Sequence, residues 1–409
     1  MYKAIDACRI CGNKNLVPVL ELGHQALTGV FPKCPGARLT SGPLTLVKCV
    51  GEESCGLLQL AHSYSLEEMY GENYGYRSGL NPSMVAHLKS KVDRIKSYGI
   101  IEEGDIIVDI GANDGTTLKQ YGLNACTLVG IDPTGSKFRE HYTTNICLIA
   151  DFFSARIFRE NFRDAKAKIV TSFSMFYDME NPMGFMQEVS EILEDDGIWV
   201  FEQSYMPSML ATNSYDTVCH EHLEYYALAQ ILWMAARVGF KIVDVELNDT
   251  NGGSLSVVAQ KLRGRMSAFP SVAKLIESER LEELDNLQTY AAFARSAKDS
   301  KETLLAFLEK SRAEGRKVAG LGASTKGNVV LQYCGIDTSL IYAIGEVNPD
   351  KFGSYTPGSH IPIVEEKKVI ADKPNHFLVL PWHFRSFFER QSRYAGLDLV
   401  YPLPTLSHR

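Results

Sequence analysis

What this 409-residue sequence lacks narrows what it could be. It has no basic excess: 42 lysines and arginines stand against 49 aspartates and glutamates, a net charge of −7. No positive field awaits a phosphate backbone, so nucleic acid is not an expected partner. No apolar run approaches the roughly 18 residues that a membrane-spanning helix needs. The first residues show no charged stretch followed by an apolar one. A cytoplasmic chain without a membrane partner is therefore expected. No tract of biased composition is present either. With 45% hydrophobic and 22% charged residues the chain reads as globular, and its length calls for two or three domains. Nothing in the sequence indicates the oligomeric state.

Cysteine is unevenly distributed. Of nine, Cys8, Cys11, Cys34, Cys49 and Cys55 fall in the first 55 residues. "CRIC" sets Cys8 and Cys11 at the spacing with which a tight turn presents two thiolates to one zinc ion. "CVGEESC" offers Cys49 and Cys55 to complete a tetrahedral site, although its gap is wider than usual. Reduced structural thiols are the alternative. A segment too small to build its own core needs a staple, which favours a structural zinc ion in a module over residues 1–65, with Cys34 the spare.

A second pattern starts near Ile101. "DIIVDIGANDGTTLKQYG" reads as a strand from Ile106 to Ile110, a glycine turn, and a helix from about Thr116, the opening of a dinucleotide-type α/β unit. The turn holds Asp109, Gly111, Asn113 and Gly115 and lacks G-x-G-x-x-G, so a pyrophosphate is a poor guest. An acidic turn suits a cationic, hydroxyl-rich ligand, as S-adenosylmethionine (SAM) is. "CTLVGIDPT" is a second strand ending at Asp132, placed for ribose hydroxyls. "CLIADFFS" is a third, with Asp151 and Phe152 to bracket an adenine. "KIVTSFSMFYDMENP" and "DDGIWVFEQSY" supply a fourth and a fifth, and Asp178 lies beyond the fourth, where such folds bind ligands or cap a helix. A SAM-binding domain is expected over 66–265.

From Phe269 to Glu314 the pattern is amphipathic and helical, with Leu281, Leu284, Leu287, Tyr290 and Phe293 on the apolar side. "KVAGLGASTKGNVVLQYCG" then reads as a strand, a turn containing Gly322, Ser324 and Lys326, and a helix. Free amides, a helix N-terminus and a lysine make an anion cradle, with Asn348, Lys351 and His360 as possible neighbours; a purely architectural turn is the alternative. "LIYAIGEV", "HFLVLPW" and "LDLVYPLP" complete a small α/β domain within 266–409. The "NDTNGGSLSV" turn, with Asn251 and Gly252, is either a plain hairpin or a place where substrate approaches backbone.

One stretch remains. "VCHEHLEYY", Val218 to Tyr226, crowds His220, Glu221, His222 and Glu224 together. Acid–base chemistry, a second metal site and a solvated helix start are all compatible with it.

In this order, "CRICG", "VDIGANDG", "VFEQSY", the "EH" of "CHEHLEYY", "NGGSLSV" and "GLGASTKGNVVLQYCGI" resemble the sugar C-methyltransferases of deoxysugar biosynthesis. Those enzymes methylate C-3 of nucleotide-linked 4-keto-6-deoxyhexoses. The resemblance spans nearly the whole chain. It implies three parts: a zinc module, a Rossmann-like class I SAM methyltransferase domain and a C-terminal α/β domain. It further implies His222 as general base, Glu221 as the acid beside it, Tyr76 closing over the site, and a nucleotide-sugar substrate. Cys219 and Asp178 depart from the family pattern, which has tyrosine and histidine there. A ketone at C-4 acidifies the neighbouring C–H, so a neutral imidazole can remove that proton. His222 is then the base, Glu221 or Glu224 its orienter or a hydroxyl ligand, and His220 or Tyr76 a donor to the enolate oxygen. O-methylation of a sugar hydroxyl and silent nucleotide-sugar binding are the other readings.

Overall fold

The computed structural model describes residues 2–65, 68–69 and 77–409; Tyr76 lies outside them. The N-terminal part is β-rich: β2 (Leu16–Ala26), β3 (Ser41–Cys49) and β4 (Leu58–Leu60) pair antiparallel, while β1 (Tyr2–Ala4) pairs with β5 (His62–Tyr64). This sheet is completed from the middle of the chain. β11 (Glu224–Tyr225) adds to its edge, with Glu224 opposite Gln59 and Tyr225 opposite Leu58.

The central sheet has seven strands. β6 (Ile106–Ile110), β7 (Thr127–Ile131), β8 (Ile146–Ile149), β9 (Ala167–Phe173) and β10 (Leu193–Ser204) run parallel. β13 (Ser254–Lys261) lies antiparallel between β10 and β12 (Phe240–Asn248), giving the order β12-β13-β10-β9-β6-β7-β8. Helices cover both faces, which is why β6 and β7 read as nearly unbroken apolar runs. All five strands expected from the sequence form.

The C-terminal sheet repeats the principle with six strands. β14 (Val318–Leu321), β15 (Ile344–Glu346), β16 (Ile363–Glu365), β17 (His376–Val379) and β18 (Leu399–Tyr401) are parallel, and β19 (Ser407–His408) closes one edge antiparallel. The order is β16-β15-β14-β17-β18-β19. The order of strand addition therefore reverses between β14 and β17, as it does between β6 and β9 in the central sheet. Crevices outside the carboxyl ends of strands at such switch points are where open α/β sheets hold ligands.

The charged connector is two helices, Pro270–Leu281 and Leu287–Ala313. Tyr290 and Phe293 are buried as the periodicity predicts, but Leu281, at the last turn before the break, is 78% exposed. Hydrogen bonds lock the C-terminal part onto the rest, among them three from or to buried or half-buried side chains. The Asn328 amide donates to the Thr28 carbonyl at 2.7 Å, the Ala26 amide donates to Gln332 at 2.8 Å, and the Trp382 indole donates to Asp216 at 2.7 Å.

Candidate active site

The turn after β6 follows from its glycines. Gly111, Asn113 and Gly115 all adopt positive φ (74°, 51° and 72°), which only glycine and asparagine reach readily. Asp132, just past β7, accepts the Asn113 amide on Oδ2 at 2.8 Å and the Thr134 amide on Oδ1 at 2.6 Å, so its carboxylate is held at the mouth of the turn. Asp109 lies behind the turn. It is 2% exposed and accepts from Thr171 at 2.6 Å, and burial pushes its carboxyl up to about 7. Its bond to Thr171 ties the turn to the neighbouring strand. Asp151 and Phe152 are exposed beyond β8, with the Phe152 ring 52% open to solvent.

The Val218–Tyr226 stretch is neither a helix nor a solvated surface. It forms a turn leading into β11, and all of its residues are buried except the half-buried Glu221 and His222. Pairing of β11 with β4 splits the cluster. His220 turns into the N-terminal module: it packs edge-on against Tyr64 at 4.6 Å, and its ring nitrogens lie 3.2 Å from the Gln25 carbonyl and 3.4 Å from Thr28 Oγ1. Glu224 points the same way, 3.6 Å from the Arg9 guanidinium, which is itself fixed to the Leu60 and His62 carbonyls. These positions commit both side chains to the module, so neither the enolate donor nor the orienting acid expected of them is where they stand.

Glu221 and His222 take the other side. The Nδ1–H of His222 donates to the Thr217 carbonyl at 2.9 Å, so a backbone oxygen orients the ring where Glu221 or Glu224 was expected to. Burial, reinforced by the nearby Lys326 cation, holds this imidazole down to about 4. The Tyr177 ring meets it edge-on at 4.5 Å. Glu221 lies against the backbone of Gly29, with Thr28 Oγ1 3.4 Å away, and burial pushes its carboxyl up. Cys219 is 1% exposed and its thiol is pushed well up by burial. Asp178 is also buried, one residue from Tyr177.

The C-terminal turn reaches this place, which the anion-cradle reading did not foresee. Gly322 has φ 78°, and any Cβ there would strike Pro381, so the neighbouring loop accounts for that glycine. Ser324 caps its helix, accepting the Gly327 amide at 3.0 Å. Lys326 extends away from the helix to the central domain and donates to the Asn251 carbonyl at 2.5 Å. Gly252 is set by its φ of 92°, since a Cβ on it would meet His383 and the Lys326 nitrogen only at ordinary contact distances of 3.7 and 3.9 Å. Lys351 donates to the Ala323 carbonyl at 2.8 Å and sits over the Phe31 ring at 4.4 Å, Asn348 caps its own turn, and His360 lines a separate cavity beside His24. Thr217, Asp216, Tyr177, Trp382 and His383 were missed from sequence. The signal existed for three of them, since Tyr177 follows β9, and Trp382 and His383 follow β17, at the two switch points.

Cys8, Cys11, Cys49 and Cys55 bring their four sulfurs within 4.8 Å of one another. Cys8 and Cys55 are 3.5 Å apart, as are Cys11 and Cys49, close to the edges of a tetrahedron about zinc. Burial and the neighbouring sulfurs push the Cys49 thiol up to about 12, so four thiolates need a dication to coexist. Lys48, 1% exposed behind them, adds positive charge. The donor set fits zinc.

A doubly wound sheet with an antiparallel edge hairpin, an acidic glycine turn and a carboxylate after the second strand defines a SAM-dependent methyltransferase. Family models match in sequence: a zinc binding domain over residues 8–70, a methyltransferase domain over 84–245 and a C-methyltransferase C-terminal domain over 249–404. The C-methyltransferase NovU of Streptomyces niveus is 27% identical over 410 aligned residues, covering 99% of this chain and 97% of NovU. The three models together span nearly the whole chain and describe a SAM-dependent C-methyltransferase with an N-terminal zinc-binding domain. Among solved structures, an O-methyltransferase family protein from Burkholderia thailandensis is 17% identical over 50% of this chain and 64% of its own, with a TM-score of 0.37. The glycopeptide N-methyltransferase MtfA complexed with SAM is 12% identical over 42% of this chain and 93% of its own, with a TM-score of 0.33. No helix among the described residues is long and apolar enough to cross a membrane.

Proposed function

We propose that the chain transfers a methyl group to C-3 of a nucleoside-diphosphate-linked 4-keto-6-deoxy sugar, with His222 as the base. The observation that carries this reading is the tautomer of His222. Donation from Nδ1 to the Thr217 carbonyl leaves the lone pair on Nε2, and the depressed pKa keeps that lone pair free at neutral pH. The C–H bonding pair moves into the enolate as Nε2 takes the proton. SAM, when bound, supplies the electrophilic methyl. Asp132 and the amides of the Gly111–Gly115 turn hold its adenosyl part, with Asp151 and Phe152 beside the adenine. Glu221, favoured in its protonated form, is a donor for a sugar hydroxyl, and Asp178, Asn251 and Gly252 line the sugar. The amide end of the Thr325–Cys334 helix, with Gly322 and Ser324, faces the diphosphate. A small nucleotide sugar held between three parts of one chain accounts for a cluster built from all of them.

Incubation with methyl-labelled SAM and a panel of dTDP-, GDP- and CDP-linked 4-keto-6-deoxyhexoses, followed by NMR of the product, tests this. Label on carbon next to the former ketone is expected. Label on oxygen would replace the reading with sugar O-methylation, and SAM binding without any transfer would leave a silent binder.

A further inference from the structure

Lys326 is the least expected member of the cluster. It enters from the C-terminal domain at the start of the Thr325–Cys334 helix, yet its ammonium lies among residues of the central domain. Its one hydrogen bond to a described residue goes to the Asn251 carbonyl, leaving two of its three N–H donors. The groups facing it are His222, Asp216, Cys219 and His383. Asp216 is fully buried: Oδ2 accepts the Trp382 indole at 2.7 Å, and Oδ1 has no hydrogen-bond partner among the described residues. His383 Nδ1 is likewise buried and unpartnered. A cation, a carboxyl group and two imidazoles are thus gathered here, and Lys326, Asp216 and His383 keep open hydrogen-bonding capacity.

We propose that Lys326 is a catalytic residue that holds the keto oxygen of the substrate and stabilises its negative charge as the enolate forms. The inference rests on the C-methylation reading above and assigns within it the donor that the sequence had sought at His220 or Tyr76. Its location argues for this role over a phosphate ligand. A diphosphate would bring its full negative charge beside the buried Asp216 carboxyl group, whereas a keto oxygen is neutral when it binds and gains charge only as the proton leaves. The base and the cation also reach the site from different domains, His222 from the central one and Lys326 from the C-terminal one. The substrate therefore meets both only between the two domains. In the step itself, the C–H pair becomes the C=C bond, the carbonyl π pair moves onto oxygen beside Lys326, and the proton rests on His222 Nε2.

The test compares wild type with Lys326→Met, using the panel member that wild type methylates and the matching free nucleoside diphosphate. Kd for the nucleoside diphosphate is expected to stay within about threefold, while kcat falls by about 10²–10³, the loss typical of removing one oxyanion donor. Lys326→Arg is expected to recover part of kcat. If Lys326→Met destabilises the fold by stranding Asp216, the double variant Lys326→Met with Asp216→Asn removes both charges and keeps an acceptor for Trp382. Loss of nucleoside diphosphate affinity with kcat intact would overturn the proposal in favour of a phosphate ligand. Full turnover in the Met variant would overturn it outright. If wild type places the methyl on oxygen, the C-methylation reading itself fails, a result distinct from either of these.

Discussion

The Nδ1–H of His222 donates to the carbonyl oxygen of Thr217 at 2.9 Å, so a backbone group five residues upstream sets the tautomer of the proposed base. A carboxylate in that position would raise the imidazole pKa; a carbonyl fixes the ring with far less effect on it. Burial and Lys326 then keep the ring neutral.

The pH dependence follows in sign. His222 and His220 are both held down to about 4, below the ordinary value near 6.5. Between those values the unfolded chain binds more protons than the folded one, so stability rises with pH across that window and is lost as pH falls through about 4. Denaturant midpoints are expected to fall from pH 7 to pH 5, while kcat/KM shows no acid limb near 6.5. An acid limb at 6.5 in wild type would mean that the imidazole is not held neutral.

Removing the positive charge of Lys326 should let His222 protonate more easily. In Lys326→Met, the His222 resonance followed by NMR should titrate at higher pH than in wild type. An unchanged midpoint would place the ammonium too far away to act on the ring.

Asp132 is fixed by the Asn113 and Thr134 amides at the end of β7, where it can meet ribose hydroxyls. Asp132→Ala should weaken SAM binding by about 1–3 kcal/mol, measured by calorimetry, through lost charge-assisted hydrogen bonds. Unchanged affinity would assign the carboxylate to the turn alone.

The zinc module bears on catalysis through β11, since Glu224 and Tyr225 pair with Gln59 and Leu58 a few residues from Cys55. Cys8→Ser should abolish stoichiometric zinc and lower both stability and turnover, because the strand that follows His222 loses its partner. Metal analysis of wild type purified without chelator should give one zinc per chain.

Glu279 shows how a distant carboxylate supports the same region. It accepts the Leu228 and Ala229 amides at 2.6 and 3.1 Å at the start of the Leu228–Val238 helix, and the Tyr205 hydroxyl at 2.8 Å. Glu279→Ala should cost about 2–4 kcal/mol of unfolding free energy, leaving the Leu228 and Ala229 amides and the Tyr205 hydroxyl without their acceptor.

The five parallel strands and the Gly111–Gly115 turn were legible because short apolar runs and glycines act locally. Asp132 was legible for the same reason, by its place at a strand end. The split within Val218–Tyr226 was not, since it depends on β11 pairing with a strand about 165 residues earlier, and no local period separates His220 from His222. Lys326 was legible as a cation at a helix start. Its direction was set by the docking of two domains, which gave it the Asn251 carbonyl as a partner. Leu281 fits the apolar stripe yet is exposed because its helix ends there.

The central claim is that His222 takes a proton from carbon. Wild-type protein, a keto-sugar substrate and a SAM analogue that cannot donate methyl, placed together in heavy water, should exchange the proton at C-3 for deuterium. His222→Asn, which keeps shape and the contact to Thr217, should bind both ligands and show no exchange, with turnover down by about two to four powers of ten. Equal exchange in the two proteins would contradict the account and place the base elsewhere.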